Sequence, residues 1–194
     1  MALDHISSTS FQAWRTPKHL AECLKVEYDL VLDAAADAAN AVCPVFFDGT
    51  EGSDGLVQDW YLPQGGVWCN PPYADIGPWI QKAYHEVYVM SNCERAVFLV
   101  PAAVGVGWFT EACKVAEVHL FDERIRFELP PRKSLPQDLQ EKLYTPAGKP
   151  KTSPGGGNAL IIFERSGLVG VTGMRSTRTG RFIHDFIDGQ TYEP

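Results

Sequence analysis

Residues 67–100 read VWCNPPYADIGPWIQKAYHEVYVMSNCERAVFLV, and their pattern decides the fold. Residues 67–69 are a short apolar strand. Beyond Pro78, Trp79, Ile80, Ala83, Tyr84 and Val87 recur at the spacing of an amphipathic helix. Residues 96–100 are then wholly apolar, as in a strand buried on both faces of a parallel sheet. Strand, helix and buried strand in that order predict an α/β sheet with helices on both faces.

The same alternation extends outward. Thr16 and Pro17 predict a helix start, Thr16 as the cap and Pro17 at the first helical position, with Leu20, Cys23 and Leu24 on the apolar face. Residues 28–33 predict a strand, the Ala-rich segment 34–41 a helix, 44–47 a second strand and 48–66 a loop. Further on, 108–116 predict a helix, 118–121 a strand and 159–163 another apolar strand. In 123–129, Ile125, Phe127 and Leu129 alternate with charged residues, which predicts a half-exposed strand. Residues 130–157, with six prolines and four glycines, break the rhythm as a long loop carrying a turn or two of helix near 138–143. From Ser166 the tail carries Arg175, Arg178 and Arg181 and then Phe182, Ile183, Phe186 and Ile187. Its packing is not legible.

The length of 194 residues, with 45% apolar and 21% charged, suits one globular domain with an adequate core. The longest apolar run, VFLVPAAVGVGWF, is too short and too interrupted for a membrane span, and the N-terminus lacks signal-peptide character. A soluble cytoplasmic protein is expected. Cys23, Cys43, Cys69, Cys93 and Cys113 are scattered without metal-ligand spacing, so reduced thiols and no metal site are expected. The net charge of −7 speaks against a polyanionic partner, but it is unevenly spread. Residues 1–97 hold five Lys/Arg against thirteen Asp/Glu, and residues 98–194 hold twelve against eleven. Seven basic residues against three acidic ones fall within 124–151, a local patch able to meet phosphates.

Asn70-Pro71-Pro72-Tyr73 sits where the first quoted strand ends, the side of an open α/β sheet at which ligands bind. An Asn oxygen and a neighbouring carbonyl can accept both hydrogens of an exocyclic amine. The two prolines stiffen the backbone and bring no N–H of their own, which leaves the Pro71 carbonyl as an acceptor. Tyr73 offers a flat face for a planar base. The alternative is a Pro-Pro turn ending a strand, with Tyr73 packed in the core.

In these residues the chain resembles amino-group methyltransferases that use S-adenosylmethionine, whose catalytic motif is Asn-Pro-Pro-Tyr. Taken with Trp14-Arg15-Thr16-Pro17, Leu32-Asp33-Ala34-Ala35-Ala36, Asp54-Gly55-Leu56, Trp60, Leu99-Val100-Pro101-Ala102, Trp108-Phe109, Arg124-Ile125-Arg126-Phe127 and Ala159–Phe163, it is similar to the phage and prophage Dam-like DNA N6-adenine methyltransferases. The resemblance implies a single-domain, Rossmann-like class I methyltransferase sheet over residues 13–164, with 165–194 as an extension of unassigned role. It implies S-adenosylmethionine held by Thr16, Pro17, Asp33 and Ala34, by Asp54 near its adenine and by Asp48 at its ribose. No GxG follows the first strand; Ala34, Ala35 and Ala36 stand there instead. Asn70, Pro71, Pro72 and Tyr73 would be catalytic, acting on an adenine flipped out of double-stranded DNA. Arg124, Arg126, Arg132 and Lys133 are the candidate phosphate contacts. Protection of phage DNA from host restriction would be the purpose. RNA and protein-glutamine methyltransferases and a catalytically silent binding module stay open as alternatives, while Asn70 disfavours N4-cytosine enzymes. Neither the recognised DNA site nor the oligomeric state is legible.

Overall fold

The computed structural model describes residues 14–36, 38–151 and 156–190. Eight strands form one mixed sheet in the order β2-β1-β3-β4-β6-β5-β7-β8. They are β1 (Leu30–Asp33), β2 (Val45–Phe46), β3 (Gly66–Cys69), β4 (Arg95–Pro101), β5 (Glu117–Phe121), β6 (Asn158–Glu164), β7 (Gly170–Arg175) and β8 (Phe182–Asp185). Strands β2, β1, β3 and β4 run parallel. Strand β6 is antiparallel between β4 and β5.

The pleat sorts side chains into two cores. Val67, Cys69, Ala96, Phe98 and Val100 face one side, where α2 (Gly77–Tyr84) and α3 (Gly107–Ala112) pack. Trp68, Val97 and Leu99 face the other, covered by α1 (Lys18–Glu27) and α4 (Gln137–Leu143). Burial of β3 and β4 on both faces follows from their unbroken apolar runs.

Four local expectations are corrected. The Ala-rich segment forms turns, not a helix, over its described residues. Asp33 is the cause: its carboxylate accepts the amides of Ala35 at 3.3 Å and Val42 at 2.9 Å, folding the segment around itself. Residues 123–129 form no strand, because both edges of β5 are already taken by β6 and β7. Their alternation is nonetheless real: Ile125 and Phe127 are buried and Arg124 and Arg126 exposed, with Glu128 bridging to Arg15. Helix α1 begins after Pro17, and Thr16 makes no cap hydrogen bond. Regular helix in 108–116 stops at Ala112 and continues as turns.

The C-terminal segment joins the sheet, β7 lying parallel to β5 and β8 antiparallel to β7. A buried charge network anchors it. Arg175, 1% exposed, donates to Glu27, to the Tyr28 hydroxyl, to the Gly180 carbonyl and, at 2.8 Å, to Nδ1 of His119. The other nitrogen of His119 lies 2.8 Å from Glu117, which also accepts from Thr172.

Candidate active site

A cavity opens at the carboxyl ends of β1, β2 and β3. The chain leaves β1 toward β2 on one side and returns to β3 on the other. Such a switch point leaves a crevice between the diverging connections, the usual ligand site of open α/β sheets. The amide of Ala34 donates to the Trp68 carbonyl at 2.8 Å, tying β1 to β3 just below the cavity.

Asn70 is the first residue beyond β3 and lines the cavity. Its Nδ2 donates to Oγ1 of Thr16 at 3.4 Å. Its Oδ1 is buried and accepts no hydrogen bond among the described residues. A buried acceptor without a donor costs about 1–3 kcal/mol and calls for an explanation. With Nδ2 occupied by Thr16, the carboxamide presents its oxygen for an external N–H. Pro71 and Pro72 bring no amide hydrogen to satisfy that oxygen. Tyr73 also lines the cavity, with its ring edge-on to Phe127 at 6.3 Å between centroids. Burial holds its phenol well above the usual tyrosine range, with the Asn158 side chain opposing that rise.

Three carboxylates line the same space in different states. Asp33 is 3% exposed and shapes the loop through the two amides it accepts. Asp54 opens a turn, its Oδ1 accepting the Leu56 amide at 2.9 Å. Asp48, just past β2, is exposed; hydrogen bonds from Thr50 hold its carboxyl below the usual range and keep it ionised.

Of the residues expected to hold cofactor, Thr16, Asp33, Ala34, Asp48 and Asp54 line this one cavity with Asn70, Pro71, Pro72 and Tyr73. Pro17 does not; it is buried at the start of α1, its carbonyl accepting from Leu20 and Ala21. Arg124 and Arg126 line a neighbouring depression with Lys151, and Trp14 and Phe127 border both spaces. Arg132 and Lys133 line neither and lie on a short 3₁₀ turn, Arg132–Ser134. Gly55, part of the Asp54-Gly55-Leu56 segment, also lines the cavity, as do Asn40 and Phe47, which carry no sequence signal of their own. Phe47 had one indirect cue, its place at the carboxyl end of a predicted strand. All five cysteines are free, and burial raises every thiol, Cys43 to about 12. None is an activated nucleophile. Among the described residues no three His, Cys, Asp or Glu side chains group as metal ligands, and no helix is long and apolar enough to cross a membrane.

A family model described as DNA N-6-adenine-methyltransferase (Dam) matches residues 5–163. A relative, the DNA N-6-adenine-methyltransferase of Escherichia phage T1, is 32% identical over 100 residues, or 51% of this chain. The matched stretch spans 40% of the phage T1 protein's length. With a mixed α/β sheet, a cavity at its switch point and a family match over most of its length, the chain belongs to the DNA N-6-adenine-methyltransferase (Dam) family.

Proposed function

We propose that this protein transfers a methyl group from S-adenosylmethionine to N6 of adenine in double-stranded DNA, on a class I, Rossmann-like methyltransferase sheet. The observation that carries this reading is the buried Oδ1 of Asn70, which has no hydrogen-bond partner among the described residues and belongs to a residue lining a cavity at the β1/β3 switch point. The family match and the name of the phage T1 relative support the acceptor atom.

The lining suits the cofactor. Small side chains at Ala34, Ala35 and Ala36 leave room beside the end of β1, and the ionised Asp48 can accept from ribose hydroxyls. Phe47 and Trp79 supply apolar walls for a purine, with Asp54 beside them as an acceptor for its amino group. S-adenosylmethionine, when bound, supplies a methyl carbon already attached to a sulfonium leaving group. The chain therefore has little acid–base work to do. Asn70 Oδ1 and the Pro71 carbonyl accept the two N6 hydrogens, orient the nitrogen lone pair and stabilise the positive charge that develops there. Thr16 keeps the Asn70 carboxamide from rotating. Tyr73 stacks on the flipped base. Arg124, Arg126 and Lys151 meet phosphates in the depression beside the cavity, and Arg132 and Lys133, set apart from it, extend the contact along the DNA backbone.

Offering labelled S-adenosylmethionine with duplex DNA, RNA and protein acceptors tests the substrate class. Label in duplex DNA alone is expected; label only in RNA or protein would replace this reading. Two variants probe the supporting contacts. Tyr73→Ala should weaken the complex with target DNA by about 1–3 kcal/mol, the worth of one base–aromatic stack, measured by fluorescence of a 2-aminopurine placed at the target. Tyr73→Phe should match the parent. Replacing Arg124 and Arg126 together with alanine should reduce the slope of log affinity against log salt by about 2, read from binding titrations at several ionic strengths.

A further inference from the structure

The wall of the cavity that carries Asp54 and Gly55 is held by a chain of hydrogen bonds through Trp60, Glu86 and Asn92, none of which lines the cavity. Gly55 lies against the end of β1 so closely that a Cβ on it would sit 2.0 Å from the Ala34 carbonyl oxygen and 3.1 Å from the Trp79 ring. That approach is held by Trp60, fully buried, whose indole Nε1–H donates to the Gly55 carbonyl at 2.8 Å. The Trp60 backbone amide in turn donates to Oε2 of Glu86 at 3.1 Å, and Nδ2 of Asn92 donates to the same oxygen at 2.7 Å. The Asn92 carbonyl accepts from the Leu62 amide at 2.8 Å, so the loop is gripped on both sides of Trp60.

Glu86 is 1% exposed, and the Lys82 ammonium lies 2.6 Å from its other oxygen. A carboxylate in this position is costly to bury unless paired and hydrogen-bonded, and here it has both kinds of partner. It sits where α2 widens into a π-type turn, His85–Val89, a local distortion frequent at functional sites. A loop needing only to be covered would be served by apolar contacts. This one is instead held by directed hydrogen bonds, one of them to the carbonyl of Gly55, a residue that lines the cavity.

We propose that Trp60 and Glu86 are positioning residues for cofactor binding. Together they press the Asp54–Gly55 segment onto the end of β1 and so set the shape of the S-adenosylmethionine slot. The inference rests on the assignment of this cavity to that cofactor. Neither residue touches the cavity, so both act only through Gly55.

Trp60→Phe removes the indole N–H and keeps an aromatic ring in the core. The expected result is a rise of about tenfold in the dissociation constant for S-adenosylmethionine, the scale of one lost buried hydrogen bond, measured by calorimetry. The KM for S-adenosylmethionine should rise in parallel, with kcat at saturating cofactor and KM for DNA held near the parent values. Phe163→Leu, a change in the same core away from the cavity, supplies the control. It should lower thermal stability comparably and leave cofactor affinity unchanged. Glu86→Gln should resemble Trp60→Phe in its effect on affinity. If Trp60→Phe binds cofactor like the parent, or if Phe163→Leu loses affinity equally, the positioning role is overturned. If the parent itself does not bind S-adenosylmethionine, the assignment of the cavity fails first.

Discussion

Asn70→Ala is expected to lower kcat by at least about 10²–10³ while leaving S-adenosylmethionine affinity nearly unchanged. The size follows from the role. A preorganised polar group aimed at developing charge in a closed site is worth far more in the transition state than in the ground state. The specificity follows from geometry, because among the described residues Oδ1 has no partner while Nδ2 is engaged with Thr16. Removing the carboxamide also removes a buried unsatisfied acceptor, so the variant should be no less stable than the parent. Single-turnover kinetics with cofactor-binding titrations checks both halves. A variant with near-normal turnover, or one that has lost the cofactor, would contradict the assignment.

Arg175→Ala is expected to destabilise the fold by about 3 kcal/mol, a large share of a typical domain's total stability. The guanidinium joins the end of α1 with its cap residue Tyr28, β5 and the turn before β8 in a buried site. Glu27 is left 38% exposed and can rehydrate, which places the loss at the lower end of the range for a broken buried pair. Arg175→Lys should recover little, since an ammonium cannot reproduce the forked contacts. Urea unfolding measures the difference, and a loss below about 1 kcal/mol would show the network to be dispensable. The same site gives a pH dependence. Burial holds His119 below its usual range, while its bond to Glu117 opposes that shift. The unfolded chain therefore binds the proton more readily than the native one. The contribution of His119 is fully present above its ordinary value of 6.5 and is lost as pH falls from there toward the depressed native value. His119→Gln should flatten the stability profile in that window.

The parts of this structure legible in the sequence are those governed by local pattern. The apolar runs of β3, β4 and β6 read as buried strands because side-chain period and burial coincide in them. Asn70–Tyr73 reads as a site because amine recognition needs those residue types in that order. Tertiary contacts decided the rest. Segment 34–41 has strong intrinsic helix propensity, yet Asp33 accepts the amides of Ala35 and of Val42 just beyond it and folds it into a loop. Residues 123–129 alternate as a strand should, but the sheet offers them no edge. Strand β7, GVTGMR, has neither an apolar run nor clean alternation, and it exists through pairing with β5 and the Arg175 network. Gly55, Trp60 and Glu86 lie in a loop and a helix whose sequences give no sign that they meet.

The most direct measurement is enzymatic digestion of duplex DNA after incubation with isotopically labelled S-adenosylmethionine, followed by mass spectrometry of the nucleosides. The account predicts label in N6-methyldeoxyadenosine, present with the parent and absent with Asn70→Ala. Label in another nucleoside, or equal label from the Asn70→Ala protein, would contradict it.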